Sequence, residues 1–169
     1  MIKLIGFIII VISSSKIGFD LSAKYIRRVE DLKAFISVLE KIKNEIKFSN
    51  CVISDALVKA ADVKSDIVHK MVAFICEKIE DGKTEPSDAF SCYLNENTTF
   101  FEKKDVEEIN EFFSVFGSGD RDDEIKNISN TVENIKSNLN EALENEKKYV
   151  KIFRTSGVLA GFLIAIILA

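Results

Sequence analysis

The sequence predicts an all-α fold: an antiparallel six-helix bundle flanked by N- and C-terminal transmembrane segments. Three observations predict it. A single proline and seven glycines in 169 residues leave little punctuation for strands and turns. Apolar residues recur at three- and four-residue steps through most of the chain. Both ends are apolar, the last of them uncharged from Thr155 to Ala169.

The first segment, residues 1–19, is Met1-Ile-Lys3 followed by the apolar run from Leu4 and by Ser13-Ser14-Ser15. Two readings stand. A basic start, a short apolar stretch and small residues make a cleavable signal peptide. An apolar run reaching Phe19, with Lys16 reaching back toward the interface, makes an uncleaved anchor. The hydrocarbon core needs roughly 20 apolar residues, so both ends of the chain are short and would thin the bilayer locally.

Residues 20–154 form the predicted helical domain, large enough for one core. Ile26, Val29, Leu32, Ile36, Leu39, Ile42 and Ile46 stripe a long helix ending near Phe48. Ser49 or Asn50 can cap a short second helix with Ala56, Leu57 and Ala60 on its apolar side. Ser65 caps a third, with Asp66 in its first turn and Ile67, Met71, Ile75 and Ile79 on one face until Gly82. Thr84-Glu85-Pro86 opens a fourth, since proline is tolerated in a first turn, and Ala89, Phe90, Tyr93 and Leu94 face inward. A loop is expected from Asn95 to Thr99.

Val106, Ile109, Phe112, Phe113 and Phe116 mark the fifth helix, closed by Gly117-Ser118-Gly119. Asp120 caps the sixth and longest, whose stripe from Ile125 to Phe153 runs at near-heptad spacing into the C-terminal anchor, residues 155–169. A load on the domain would pass along this helix into the membrane. Within the anchor, Gly157 and Gly161 are spaced as GxxxG. That face either packs on the first anchor or another subunit, or its glycines are simply tolerated in lipid.

Charge narrows the function. A net charge of −4 removes the usual electrostatic basis for nucleic-acid binding. Lys16, Lys24, Arg27 and Arg28 flank the first anchor on its central-domain side, and Lys147, Lys148, Lys151 and Arg154 flank the second on the same side. The positive-inside rule therefore puts the central domain in the cytoplasm. Three cysteines, Cys51, Cys76 and Cys92, include no CxxC and read as small apolar residues in a reducing compartment. The lone histidine, His69, with Cys76 on the same helix lacks a third orienting group, and no nucleotide, nucleophile-elbow or zinc-protease motif occurs. No cofactor, metal site or small-molecule substrate is expected, and the chain reads as a non-enzyme.

Two acidic runs remain: Asp105, Glu107, Glu108 and Glu111, then Asp120, Asp122, Asp123 and Glu124. The second run either only complements the dipole of the sixth helix or docks a basic partner. Asp120, Asp122 and Asp123 are the docking candidates, with Asp105 and Glu108 beside them.

At Lys3-Leu4-Ile5-Gly6, Phe116-Gly117-Ser118-Gly119-Asp120 and Tyr149 through Arg154 to Gly157-Val158-Leu159-Ala160-Gly161, the chain resembles the stage III sporulation protein AB family. Ala56-Leu57 and Ser87 to Phe90 match as well, so the resemblance covers the whole chain. Glu124 stands where a glutamine is usual, and Phe90 where a tryptophan is common. The resemblance implies an uncleaved anchor and a cytoplasmic domain like the F-protein domain of type II secretion machines. It implies the mother-cell membrane surrounding the forespore and a channel or secretion-like complex. The implied partners are the stage III sporulation protein AA ATPase and other proteins of that complex, with an oligomer open. Without the resemblance, an exported helical protein with a cleaved signal peptide and a C-terminal anchor is the alternative.

Overall fold

A computed structural model describes residues 2–48, 53–60, 63, 65–80 and 84–168. Among them the fold is all-α, with helices α1 (Ile2–Phe48), α2 (Ile53–Ala60), α3 (Asp66–Glu80), α4 (Pro86–Glu96), α5 (Lys103–Val115) and α6 (Arg121–Leu168). The expected caps at Ser49 or Asn50, the stop at Gly82 and the position of Cys51 lie outside the described residues. The chain divides into two compact units, residues 1–29 with 141–169 and residues 30–140. Helices α1 and α6 contribute to both.

The larger unit, residues 30–140, is built on phenylalanine. Phe35 of α1 meets Phe112 and Phe113 of α5 with ring centroids 6.3 Å apart in both pairs, and Phe90 of α4 meets Phe113 at 5.6 Å. Phe116 closes the cluster at 5.1 Å from Phe112. Phe35, Phe90, Phe112 and Phe113 are fully buried, and each such ring contributes several kcal/mol of hydrophobic stabilisation, about 3–5 if cut to alanine. The inward row of α1 runs through Leu32, Phe35, Leu39, Ile42 and Ile46, alternating steps of three and four. Ile36 is only half-buried, so the stripe passes through Phe35 instead.

Polar side chains fix the shorter helices. Ser65 caps α3 as expected: the Val68 N–H donates to its Oγ at 3.2 Å. The same hydroxyl donates to Asp31 Oδ1 of α1 at 2.6 Å, and Asp31 is buried. One serine therefore ends α3 and fastens it to α1. Tyr93 of α4 donates to the Ile67 carbonyl at 3.1 Å, tying α4 to α3, and burial raises its phenol pKa. The buried face of α3 is Val68, Met71, Val72, Ile75 and Cys76, one position round from the expected stripe, so Ile67 and Ile79 stay half-exposed. Helix α4 runs through Asn95 and Glu96, expected to be loop. Asn97 ends it, its backbone N–H and its Nδ2 both donating to the Tyr93 carbonyl, at 2.9 and 3.1 Å.

The smaller unit, residues 1–29 with 141–169, pairs the N-terminal part of α1 antiparallel with the C-terminal part of α6. Both helices are long and apolar enough to cross a membrane. Ile8, Ile9 and Ile12 on α1 and Leu159, Leu163, Ile166 and Ile167 on α6 are exposed, the surface that a hydrocarbon solvent would cover. The helix pairing continues past the apolar segments. Tyr25 stacks on Tyr149 at 5.1 Å and on Phe153 at 5.9 Å. The packing boundaries therefore fall at 29/30 and 140/141, ten and fourteen residues beyond the apolar limits at 19 and 155.

Candidate functional site

Two places hold the residues singled out above: the bend between α5 and α6, and the face on which α1 and α6 meet.

At the bend, Phe116 closes α5 by donating its N–H to the Phe112 carbonyl at 3.1 Å. Gly117 follows at φ +86°, a left-handed conformation that a side chain would strain. Its N–H donates to Glu124 Oε1 at 2.7 Å, a short, charge-assisted bond. Glu124 sits in the first turn of α6 and is 2% exposed. It thus holds the end of α5 against the start of α6. Asp120 is the N-cap of α6, its Oδ1 accepting the Asp123 N–H at 2.9 Å and its carbonyl the Glu124 N–H at 3.0 Å. Gly119 packs tightly here, since a Cβ on it would lie 3.1 Å from Asp123 Cβ.

These bonds present Asp120, Asp122 and Asp123 together as an exposed acidic knuckle, with exposed Arg121 among them. Capping and exposure are compatible, because Asp120 uses one carboxylate oxygen on Asp123. The other two candidates stand apart. Glu108 is half-buried and accepts a hydrogen bond from Asn134 Nδ2 at 2.8 Å, joining α5 to α6. Asp105 is fully buried at the opposite end of α5. There its Oδ2 accepts the Glu102 N–H at 2.9 Å, half of a capping box. Asp105 has no surface to offer a partner and leaves the docking set. The spacing Glu102-x-x-Asp105 carried that signal, and proximity to Glu107 and Glu108 in an acidic run concealed it.

His69 is exposed, whereas Cys76 is buried and its thiol is pushed up to about 11, by burial first and the Glu80 charge second. A thiol so protonated at neutral pH is a poor nucleophile. No group of three His, Cys, Asp or Glu side chains suited to a metal ion occurs among the described residues.

On the second face, Gly157 lies against Gly18 and Ser14 of α1. A Cβ on Gly157 would come 2.9 Å from Gly18 Cα and 3.0 Å from the Ser14 carbonyl oxygen. At Gly161 it would come 3.0 Å from Val11 Cα and 3.1 Å from Ser14 Cβ. Gly18 is the tightest, with the Phe153 carbonyl oxygen 2.6 Å from an added Cβ. Ser14 Oγ donates to the Gly157 carbonyl at 2.7 Å, a hydrogen bond between helices that close approach makes accessible. Ser14 and Gly18 form their own small-xxx-small pair, which the reading of the N-terminus as a signal sequence or simple anchor passed over.

The family model for stage III sporulation protein AB matches residues 3–169. Stage III sporulation protein AB of Bacillus subtilis (strain 168) is 22% identical over 170 residues, covering 99% of each chain. A solved structure of a stage III sporulation protein AB superposes with a TM-score of 0.63 at 16% identity, covering 72% of this chain and 98% of that one. That likeness reports the fold. With the family match spanning all but the first two residues, the chain belongs to the stage III sporulation protein AB family.

Proposed function

We propose that this sporulation protein is a non-enzymatic membrane scaffold of a mother-cell to forespore channel or secretion-like complex. Its two apolar ends anchor it in the membrane surrounding the forespore. The helical part between them faces the cytoplasm and docks the stage III sporulation protein AA ATPase, linking that motor to membrane components. The basic flanks of both anchors support the orientation. The observation that carries the docking role is the exposed knuckle of Asp120, Asp122 and Asp123, held on a capped bend by Gly117 and Glu124. A fixed acidic cluster steers and orients a basic partner at little entropic cost.

Pairing of Gly18 and Ser14 with Gly157 supports an uncleaved first anchor, because cleavage after Ser15 would remove half of that contact. The test of docking is co-purification with the ATPase. Asp120→Lys with Asp122→Lys should weaken capture at least tenfold while leaving helical circular dichroism unchanged. Undiminished capture by that variant would refute the site.

A further inference from the structure

A shallow groove runs along α6 where it leaves its apolar segment, lined by Glu146, Lys147, Val150, Lys151, Arg154 and Thr155. Three cations against one carboxylate give it a net charge of +2. Lys147 and Lys151 are four residues apart and Arg154 three further on, so all three side chains share one face of the helix.

Arg154 is held in place. Its Nε–H donates to Ser22 Oγ at 3.3 Å, and its guanidinium lies 5.1 Å from the centre of the Phe19 ring. Ser22 is fully buried and its hydroxyl donates to the Phe19 carbonyl at 2.8 Å, so the anchoring oxygen is itself fixed. These contacts orient the planar fork of Arg154 and leave its terminal nitrogens to donate outward. Such a fork suits a phosphate ester, and Lys151 adds a point charge one turn away.

The groove borders the apolar stretch of α6. Further along α6, Leu159, Phe162, Leu163 and Ile166 are exposed. They begin roughly 12 Å along the axis from Lys151, at the depth of acyl chains below a headgroup, with Leu159 and Leu163 on the side of the helix turned away from the cations. We infer that this face of α6 is a binding site for the headgroup of an anionic phospholipid, its phosphate held by Lys147, Lys151 and Arg154 where the apolar stretch begins.

The inference rests on the membrane reading of the two anchors, and its test separates the two. The full chain is reconstituted in phosphatidylcholine bilayers, and the motionally restricted fraction of spin-labelled phosphatidylglycerol is compared with that of spin-labelled phosphatidylcholine. Each cation near the surface is worth about fivefold in association. Phosphatidylglycerol should therefore be preferred at least fivefold, and Lys147→Gln with Lys151→Gln and Arg154→Gln should remove the preference. Lys147→Gln with Lys151→Gln alone, which disturbs neither Ser22 nor Phe19, should weaken it severalfold. Removing the same charge at Lys33, Lys43 and Lys47 should leave it intact. Equal association of both lipids with the native chain, equal loss in the control variant, or displacement by millimolar inorganic phosphate would overturn the site. A chain that does not enter bilayers overturns the membrane reading itself.

Discussion

A methyl group placed on Gly18 loads the α1 and α6 pairing where it is tightest. The added Cβ would sit 2.6 Å from the Phe153 carbonyl oxygen and 3.1 Å from Gly157 Cα, both main-chain atoms that cannot swing aside. Comfortable contact is about 3.5 Å, so the helices must separate by roughly 1 Å. Overpacking of this kind costs about 1–3 kcal/mol. The same movement stretches the 2.7 Å bond from Ser14 Oγ to the Gly157 carbonyl, a class of bond worth about 0.6 kcal/mol in membrane proteins and up to about 1.7. Alanine recovers about 1 kcal/mol of helix propensity over glycine. The net expectation for Gly18→Ala is a loss of roughly 0.5–4 kcal/mol, by the difference of these terms. Gly6 supplies the control, because a Cβ there meets nothing within 4 Å. Spin labels at Phe7 and Phe162, whose rings are 6.1 Å apart, report helix separation during an SDS titration in a cysteine-free background. The midpoint should fall for Gly18→Ala and Gly157→Ala and not for Gly6→Ala. Identical midpoints for all three variants would refute close glycine packing as the source of the pairing.

Three further outcomes follow from the larger unit and the bend. Ser65→Ala removes the α3 cap and one hydrogen bond to buried Asp31, so denaturant melting of the full chain should show a loss of about 2–3 kcal/mol, which Ser65→Thr largely restores. Glu124→Gln keeps an acceptor for the Gly117 N–H and should cost under about 1 kcal/mol, whereas Glu124→Ala should speed hydrogen exchange of the Gly117 amide at least tenfold. In a Cys51→Ser background, iodoacetamide at pH 8 should modify exposed Cys92 and spare Cys76, whose thiol is pushed up to about 11. Because that value lies above the 9.0 of an unperturbed thiol, Cys76 stabilises the fold fully below pH 9 and the contribution is lost as pH rises toward 11.

The helical punctuation was largely legible because local chemistry writes it: Ser65 as a cap, Pro86 in a first turn, and Gly117 past the end of α5. What escaped depended on distant partners. Ile36 and Phe35 suit an amphipathic stripe equally well, and only the rings of α5 decide between them. Asp105 resembles its acidic neighbours in sequence and differs by accepting the Glu102 N–H. GxxxG at Gly157 and Gly161 was visible, but its counterpart needed the register of α1, which brings Ser14 and Gly18 opposite. The knuckle at Asp120, Asp122 and Asp123 was legible as a cluster, and the buried Glu124 that steadies it was not.

The proposed arrangement holds a helical unit at the cytoplasmic face by both ends of its chain. Cys92, exposed on α4 between the two anchors, is the direct reporter of that arrangement. In a chain lacking Cys51, a membrane-impermeant maleimide should label Cys92 in inverted vesicles and fail to label it in intact cells. Labelling of Cys92 from outside intact cells would contradict the proposed topology and, with it, access of the acidic knuckle to a cytoplasmic motor.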